Sequence, residues 1–221
     1  MKRAAIVVAM LLTLAGWVPL PSLASPAASA PPDQFEERMA DRALLDRIRQ
    51  GGYVLYMRHG TTDNSRSDQV ELGDFSDCSK QRVLNPAGRQ LATQVGQFIK
   101  RAEIPVGMVL HSPLCRARDT ARLAFPGQNV VMKQIDALMY TANLTHEQKQ
   151  PNLKITRQWL SEQVEPGGNR VVVAHAPNMA DLIGYFVRPE GTVVVIEPQG
   201  QGRFQYVASI PPTLWAALLA P

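Results

Sequence analysis

The sequence predicts an α/β domain built as a three-layer sandwich, with a mainly parallel central sheet and helices on both faces. Short runs rich in β-branched and apolar residues recur at 53–57, 108–110 and 171–174, each too brief for a helix. Longer segments with apolar residues at helical spacing separate them, and this alternation is the pattern of a parallel sheet covered on both sides. Two closing strands, at 193–196 and 204–210, add an antiparallel edge.

Taken in order, Phe35, Met39, Ala43, Leu44, Leu45 and Ile48 fall at helical spacing, which predicts a helix ended by Gly51-Gly52. The strand at 53–57 follows. Residues 62–83 show no sustained period and many Asp, Ser and Arg residues, so they read as a long polar loop over the site. Asn85-Pro86 reads as the N-cap and first position of a helix that turns Leu91, Val95, Phe98 and Ile99 to the core. Beyond the strand at 108–110 come a helix through Ala124, a strand at 129–132 and a helix over 144–164 carrying Leu153, Trp159 and Leu160. Pro166-Gly167-Gly168 stops that helix, and another is expected over 178–186. The interval from Asp136 to Arg170 leaves little room for a cap domain.

The chain of 221 residues opens with Lys2 and Arg3, an apolar run through Val18 and then small residues and prolines, the composition of a secretory signal. The expected organisation is a signal over 1–24, with cleavage as late as 30, a flexible leader over 25–34 and one domain over 35–221. The run is broken by Gly16 and Pro19 and falls short of the roughly 20 residues that a membrane span needs, so no stable anchor is expected after cleavage. Losing Lys2 and Arg3 takes the formal charge from +4 to +2, too weak an excess for nucleic acid but compatible with an anionic small molecule. The expected location is periplasmic or secreted. There the even pair of cysteines, Cys78 and Cys115, favours a disulfide, stabilising by about 4 kcal/mol in the chain-entropy picture.

The chemistry is expected at strand ends. Arg58-His59-Gly60-Thr61 follows the first strand and delivers a guanidinium and an imidazole to the carboxyl edge, where open α/β sheets hold ligands. Imidazole is a nucleophile and guanidinium grips phosphate, so the pair points to phosphoryl transfer. His111-Ser112-Pro113-Leu114-Cys115-Arg116 ends the second strand and opens a helix, and the strand at 171–174 ends in His175. His111 and His146 read as structural, as does Arg118. No two histidines sit at short helical spacing, so neither a metal nor another cofactor is expected.

These segments together resemble the histidine phosphatase superfamily, the phosphoglycerate mutase-like fold, in its first branch. The likeness spans roughly residues 53–210, and the Asp77-Cys78-Ser79 and Cys115-Arg116 elements are similar to those of small exported bacterial members. It implies that His59 is phosphorylated and that Arg58, Arg116 and His175 form the phosphate pocket; Thr62, read from its hydroxyl alone, is a further candidate contact or else a cap on the loop. The implied activity is a metal-independent phosphohydrolase for a phosphorylated small molecule, the alternatives being a phosphomutase or a phosphate- or phosphosugar-binding protein. Two departures stand out. Ser65 occupies the place of a family asparagine, with Asn64 one position earlier, and Leu138-Met139-Tyr140 puts tyrosine where a Leu-x-Glu acid is usual. Asp136 is then the nearest candidate acid, with Asp74, Asp77 and Asp181 behind it.

Overall fold

A computed structural model describes residues 35–69, 75–127 and 130–220. The expected signal and leader, Asp74 and Asn129 lie outside the described residues. The sheet has six strands: β1 (Val54–Arg58), β2 (Val106–His111), β3 (Val131–Gln134), β4 (Asn169–Ala174), β5 (Val193–Pro198) and β6 (Phe204–Ile210). Their spatial order is β3-β2-β4-β1-β5-β6. Pairing is parallel from β3 through β2 and β4 to β1, and antiparallel from β1 to β5 and from β5 to β6. This is the mainly parallel sheet with an antiparallel edge that the sequence predicts.

Strand alternation divides the core into two layers. Leu55, Met57, Val171, Val173, Val193 and Val195 pack under α1 (Arg42–Arg49), α2 (Pro86–Arg101), α3 (Cys115–Ala124) and α6 (Trp215–Leu218). Val54, Tyr56, Val172, Ala174, Val194 and Ile196 face α4 (His146–Ser161) and α5 (Ala176–Ile183). Successive side chains of a strand point to opposite faces, so β1 and β4 are apolar nearly throughout because both faces are covered.

The helix starts are chemically marked. Asn85 accepts the Gly88 amide at 2.7 Å to cap α2, with Pro86 following it. Thr145 and Gln148 form a capping box at α4, and Gly184, at φ 75°, closes α5. The first helix differs from expectation. It begins at Arg42, after an Asp41 cap that accepts the Leu44 amide at 2.8 Å, and not at Phe35. Residues before the cap are drawn into extended pairing with β6: Ser209 donates to the Arg38 carbonyl at 2.7 Å, and Ala40 donates to the Ser209 carbonyl at 3.0 Å. Phe35 stacks on Tyr185 with centroids 4.4 Å apart. The apolar spacing that mimics a helix is therefore spent on strand pairing and an aromatic cluster.

The first turn of α2 is pressed against the segment leaving β1. Asn85 donates its backbone N–H to the Thr61 carbonyl at 3.2 Å and its side-chain amide to the Thr62 carbonyl at 3.2 Å. A Cβ on Gly88 would stand 1.9 Å from the Thr61 oxygen, a backbone atom that cannot swing aside. Gly88→Ala should accordingly destabilise by at least about 3 kcal/mol, the upper range for overpacking. An unchanged denaturation midpoint would show that this contact yields freely.

Candidate active site

Parallel pairing of β1 with β4 sets Arg58 opposite Ala174, so the next residues, His59 and His175, emerge side by side at the carboxyl edge. The His59 amide donates to the Ala174 carbonyl at 3.0 Å, and the two imidazoles meet edge to face with centroids 5.2 Å apart. On the far side of β4, the Ser112 amide donates to the Val173 carbonyl at 3.0 Å, bringing the end of β2 into the same row. Three neighbouring strand ends thus supply the three motif segments.

His59 is buried, and its Nδ1 lies 2.7 Å from the Gly60 carbonyl. A carbonyl only accepts, so Nδ1 carries the proton and Nε2 keeps its lone pair. Burial first, then the Arg116 charge, holds this imidazole well below its ordinary pKa, leaving it neutral. Gly60 is fixed in turn. Its amide donates to the Thr120 hydroxyl at 3.0 Å, and that hydroxyl donates to the Arg116 carbonyl at 2.7 Å.

Arg116, in the first turn of α3, is fully buried. Its Nη1 donates to Asp68 Oδ1 at 2.8 Å and to the Arg82 carbonyl at 3.4 Å. Its Nε and Nη2 are buried without a partner. These two nitrogens form the side-on fork of a guanidinium, the geometry that grips two oxygens of a phosphate. Burial lowers the pKa of Arg116 and Asp68 opposes the shift, so the charge is retained at real cost. Arg58 is held by the Val187 carbonyl at 2.8 Å and by the Glu190 carboxylate, and its Nε is buried and unpaired.

His175 is fully buried at the start of α5. Its Nε2 lies 2.8 Å from the Ser112 hydroxyl, while Nδ1 is buried and unpaired. With that hydroxyl donating to Nε2, Nδ1 carries a proton for an incoming oxygen. Burial, followed by Arg116 and His59, keeps this imidazole well below its ordinary pKa. The Tyr56 hydroxyl clamps its backbone, donating to the His175 carbonyl at 2.6 Å and accepting its amide at 3.1 Å. The unpaired nitrogens of Arg58, Arg116 and His175 make a donor set suited to an anion.

The structure therefore gathers Arg58, His59, Arg116 and His175. Thr62 lies on the loop just beyond, buried and bridged to Leu84. Asp136 is not gathered: it is exposed, and its carboxylate accepts from the Gln134 side chain at 2.8 Å. Asp77 takes the Ser79 amide and hydroxyl, and Asp181 lies between Thr141 and Lys149. Tyr140 stands in the pocket instead, its ring edge-on to His175 at 5.6 Å and 5.4 Å from the Arg116 guanidinium carbon. His111 bonds the Ser112 carbonyl, His146 faces Gln150, and Arg118 lies against the sulfurs of Cys78 and Cys115. Arg82 is a member that the sequence reading passes over. Its charge reaches both histidines and its Nε is buried and unpaired. A cleft of about 480 Å³ opens beside the cluster, lined by Asn64, Arg66, Asp68, Arg82, Tyr140 and Asn143 among others.

Cys78 and Cys115 are joined in a disulfide with Cα atoms 5.8 Å apart. The bond ties the polar loop to the residue before Arg116. Gln81 reinforces the tie, accepting the Cys115 amide at 2.8 Å and donating to the Phe75 carbonyl at 2.8 Å.

Residues 54–163 match the histidine phosphatase superfamily, branch 1. No curated protein matches the chain in sequence. Among solved structures, the alpha-ribazole phosphatase from Shigella flexneri is similar at TM-score 0.54 and 16% identity, over 72% of this chain and 96% of that one. YhfR from Bacillus stearothermophilus is similar at TM-score 0.52 and 18% identity, over 71% and 95% of the two chains. At such identities these structures establish the shared fold.

Two outcomes follow for stability. Folding keeps His59 and His175 neutral, whereas the unfolded chain protonates them below about pH 6.5. The unfolded state then binds more protons, so stability should be fully present above that pH and decline as pH falls below it. Urea midpoints from pH 7.5 to 5 should show this slope, and His59→Gln with His175→Gln should flatten it; an unaltered slope would assign the pH dependence elsewhere. Reducing the disulfide should lower the melting temperature and loosen the loop beside Arg116. Thiol titration of the unreduced protein is the direct check, and two free thiols would reject the bond.

Proposed function

We propose that this chain, which belongs to the histidine phosphatase superfamily, branch 1, is an exported, metal-independent phosphohydrolase acting through a phosphohistidine on His59. The observation that carries the reading is the protonated Nδ1 of His59, which leaves Nε2 free beside the unpaired fork of Arg116. The Arg116 fork, Arg58 Nε, Arg82 Nε and His175 Nδ1 would hold the phosphoryl oxygens while Nε2 attacks phosphorus opposite the leaving group. Permanent guanidinium charge neutralises the phosphate oxygens, the work a divalent metal does elsewhere. Water then cleaves the phosphorus–nitrogen bond and restores the imidazole.

Tyr140 in place of a carboxylic acid shapes the substrate class. Leaving groups that depart with little help from an acid, such as phosphoramidates, acyl phosphates and aryl phosphates, fit this site better than alkyl monoesters. A phosphorylated small molecule is the substrate form that the open polar cleft would take. The apolar opening after Lys2 and Arg3 supports export to the periplasm or medium. Tyr140 also favours a second reading, a phosphate-binding protein without turnover.

Incubating the mature chain with aryl phosphates and phosphoramidates separates the two. Turnover is expected without added metal, with acid-labile phosphate on the quenched protein. His59→Ala should abolish both, and Arg58→Ala, Arg116→Ala and His175→Ala should each slow turnover by about a hundredfold or more. Full activity in the His59 variant would remove that residue as nucleophile, and binding without turnover in the wild type would favour the second reading.

A further inference from the structure

We propose that Asp68 is the general base that activates the water which hydrolyses phosphorylated His59, a role for which the Leu138-Met139-Tyr140 segment has no carboxylate. The proposal rests on His59 carrying the phosphoryl group. Asp68 sits on the polar loop, largely buried, with Oδ1 accepting from Arg116 Nη1 at 2.8 Å and from the Arg82 amide at 2.9 Å. Arg116 thus holds a carboxylate with one nitrogen and keeps its Nε and Nη2 fork for phosphate. One rigid guanidinium sets the distance between the two anions. Among the described residues, both hydrogen bonds at this carboxylate end on Oδ1, which leaves Oδ2 to take a proton.

Position distinguishes Asp68 from the other acids. Glu190 also touches the clamp, accepting from Arg58 Nη2, but it does not line the cleft. Asp68 does line it, together with Tyr140, whose ring abuts His175. Water reaches the Asp68 carboxylate from this cleft.

The two half-reactions make different demands. An ionised carboxylate held by Arg116 has no proton to give, so the first step relies on a leaving group stable as an anion. Water is a far poorer nucleophile and gains from a base. In the second step the water oxygen forms a bond to phosphorus, the phosphorus–Nε2 bond breaks with its electron pair returning to His59, and the water proton passes to Asp68 Oδ2 and then to solvent.

Rapid-quench kinetics of the full mature protein with p-nitrophenyl phosphate test this. Asp68→Asn keeps an oxygen for Arg116 and the Arg82 amide but removes the base. The variant should release one equivalent of nitrophenol per site in a burst near the wild-type rate, then turn over about a hundredfold more slowly. Acid-labile phosphoprotein should accumulate. Phosphoprotein isolated from Asp68→Glu, which retains a base, should decay faster than that from Asp68→Asn, a comparison independent of substrate capture. A burst slowed as much as turnover, with no accumulation, would reduce Asp68 to positioning Arg116 and overturn the proposal, as would equal decay in the two variants. Absence of acid-labile phosphate from the turning-over wild type would instead overturn the His59 reading and this one with it.

Discussion

The pairing of β1 with β4 is the constraint on which the site depends. Both strands are buried on both faces, so their register is fixed by two opposed sets of side chains, Leu55 and Met57 against one layer and Val54 and Tyr56 against the other. A slip of one residue would turn each set toward the wrong layer. The same register puts His59 and His175 side by side one residue beyond the last pair, Arg58 and Ala174. Core packing therefore sets the relation between the two imidazoles. Tyr56 extends the control, since a phenol from the body of β1 holds both backbone groups of His175.

Charge works against this stability. Arg58 and Arg116 have lowered pKa values because burial strips water from them, and unpaired donors remain on both. Each buried unsatisfied donor costs about 1–3 kcal/mol, which a phosphate would relieve by accepting from several at once. The rest of the fold offsets that cost with well-paired surroundings. Asp68 and Glu190 anchor the guanidiniums, and Thr120 links the loop of His59 to the helix of Arg116.

The central sheet and the main helices were legible because buried parallel strands and capped helices leave strong local marks. Asn85-Pro86 gave the start of α2 at its observed position, and the strand-end histidines converged because a parallel sheet aligns its carboxyl ends. Phe35 and Met39 misled, as their spacing suits a helix while their backbone pairs with β6; Asp41, a good cap directly before Arg42, was the available signal. Arg82 and Asp68 were missed for another reason. Both lie in a segment with no period, where an arginine or aspartate looks like any solvated surface residue, and it is the tertiary approach of Arg116 on α3 that draws them into the site. Tyr56 read as one more core residue because nothing local reveals a buried hydroxyl's partner.

The machinery is thus split between rigid and tethered parts. Arg58, His59, Arg116 and His175 stand at the ends of strands or the first turn of a helix, whereas Asp68 and Arg82 come from a polar loop that the hydrophobic layers do not hold. A loop residue that must stay within hydrogen-bond reach of Arg116 needs another restraint, since small displacements weaken both charge pairing and catalysis. The disulfide from Cys78 to Cys115 and the Gln81 bonds supply it at the residue adjoining Arg116. Placing the crosslink there limits the relative motion of two segments where it affects the pocket most, and an oxidising compartment is where such a bond persists. The crosslink and the loop-borne carboxylate are in that sense one arrangement: the first keeps the second within reach of Arg116, and the export we propose would keep the crosslink intact.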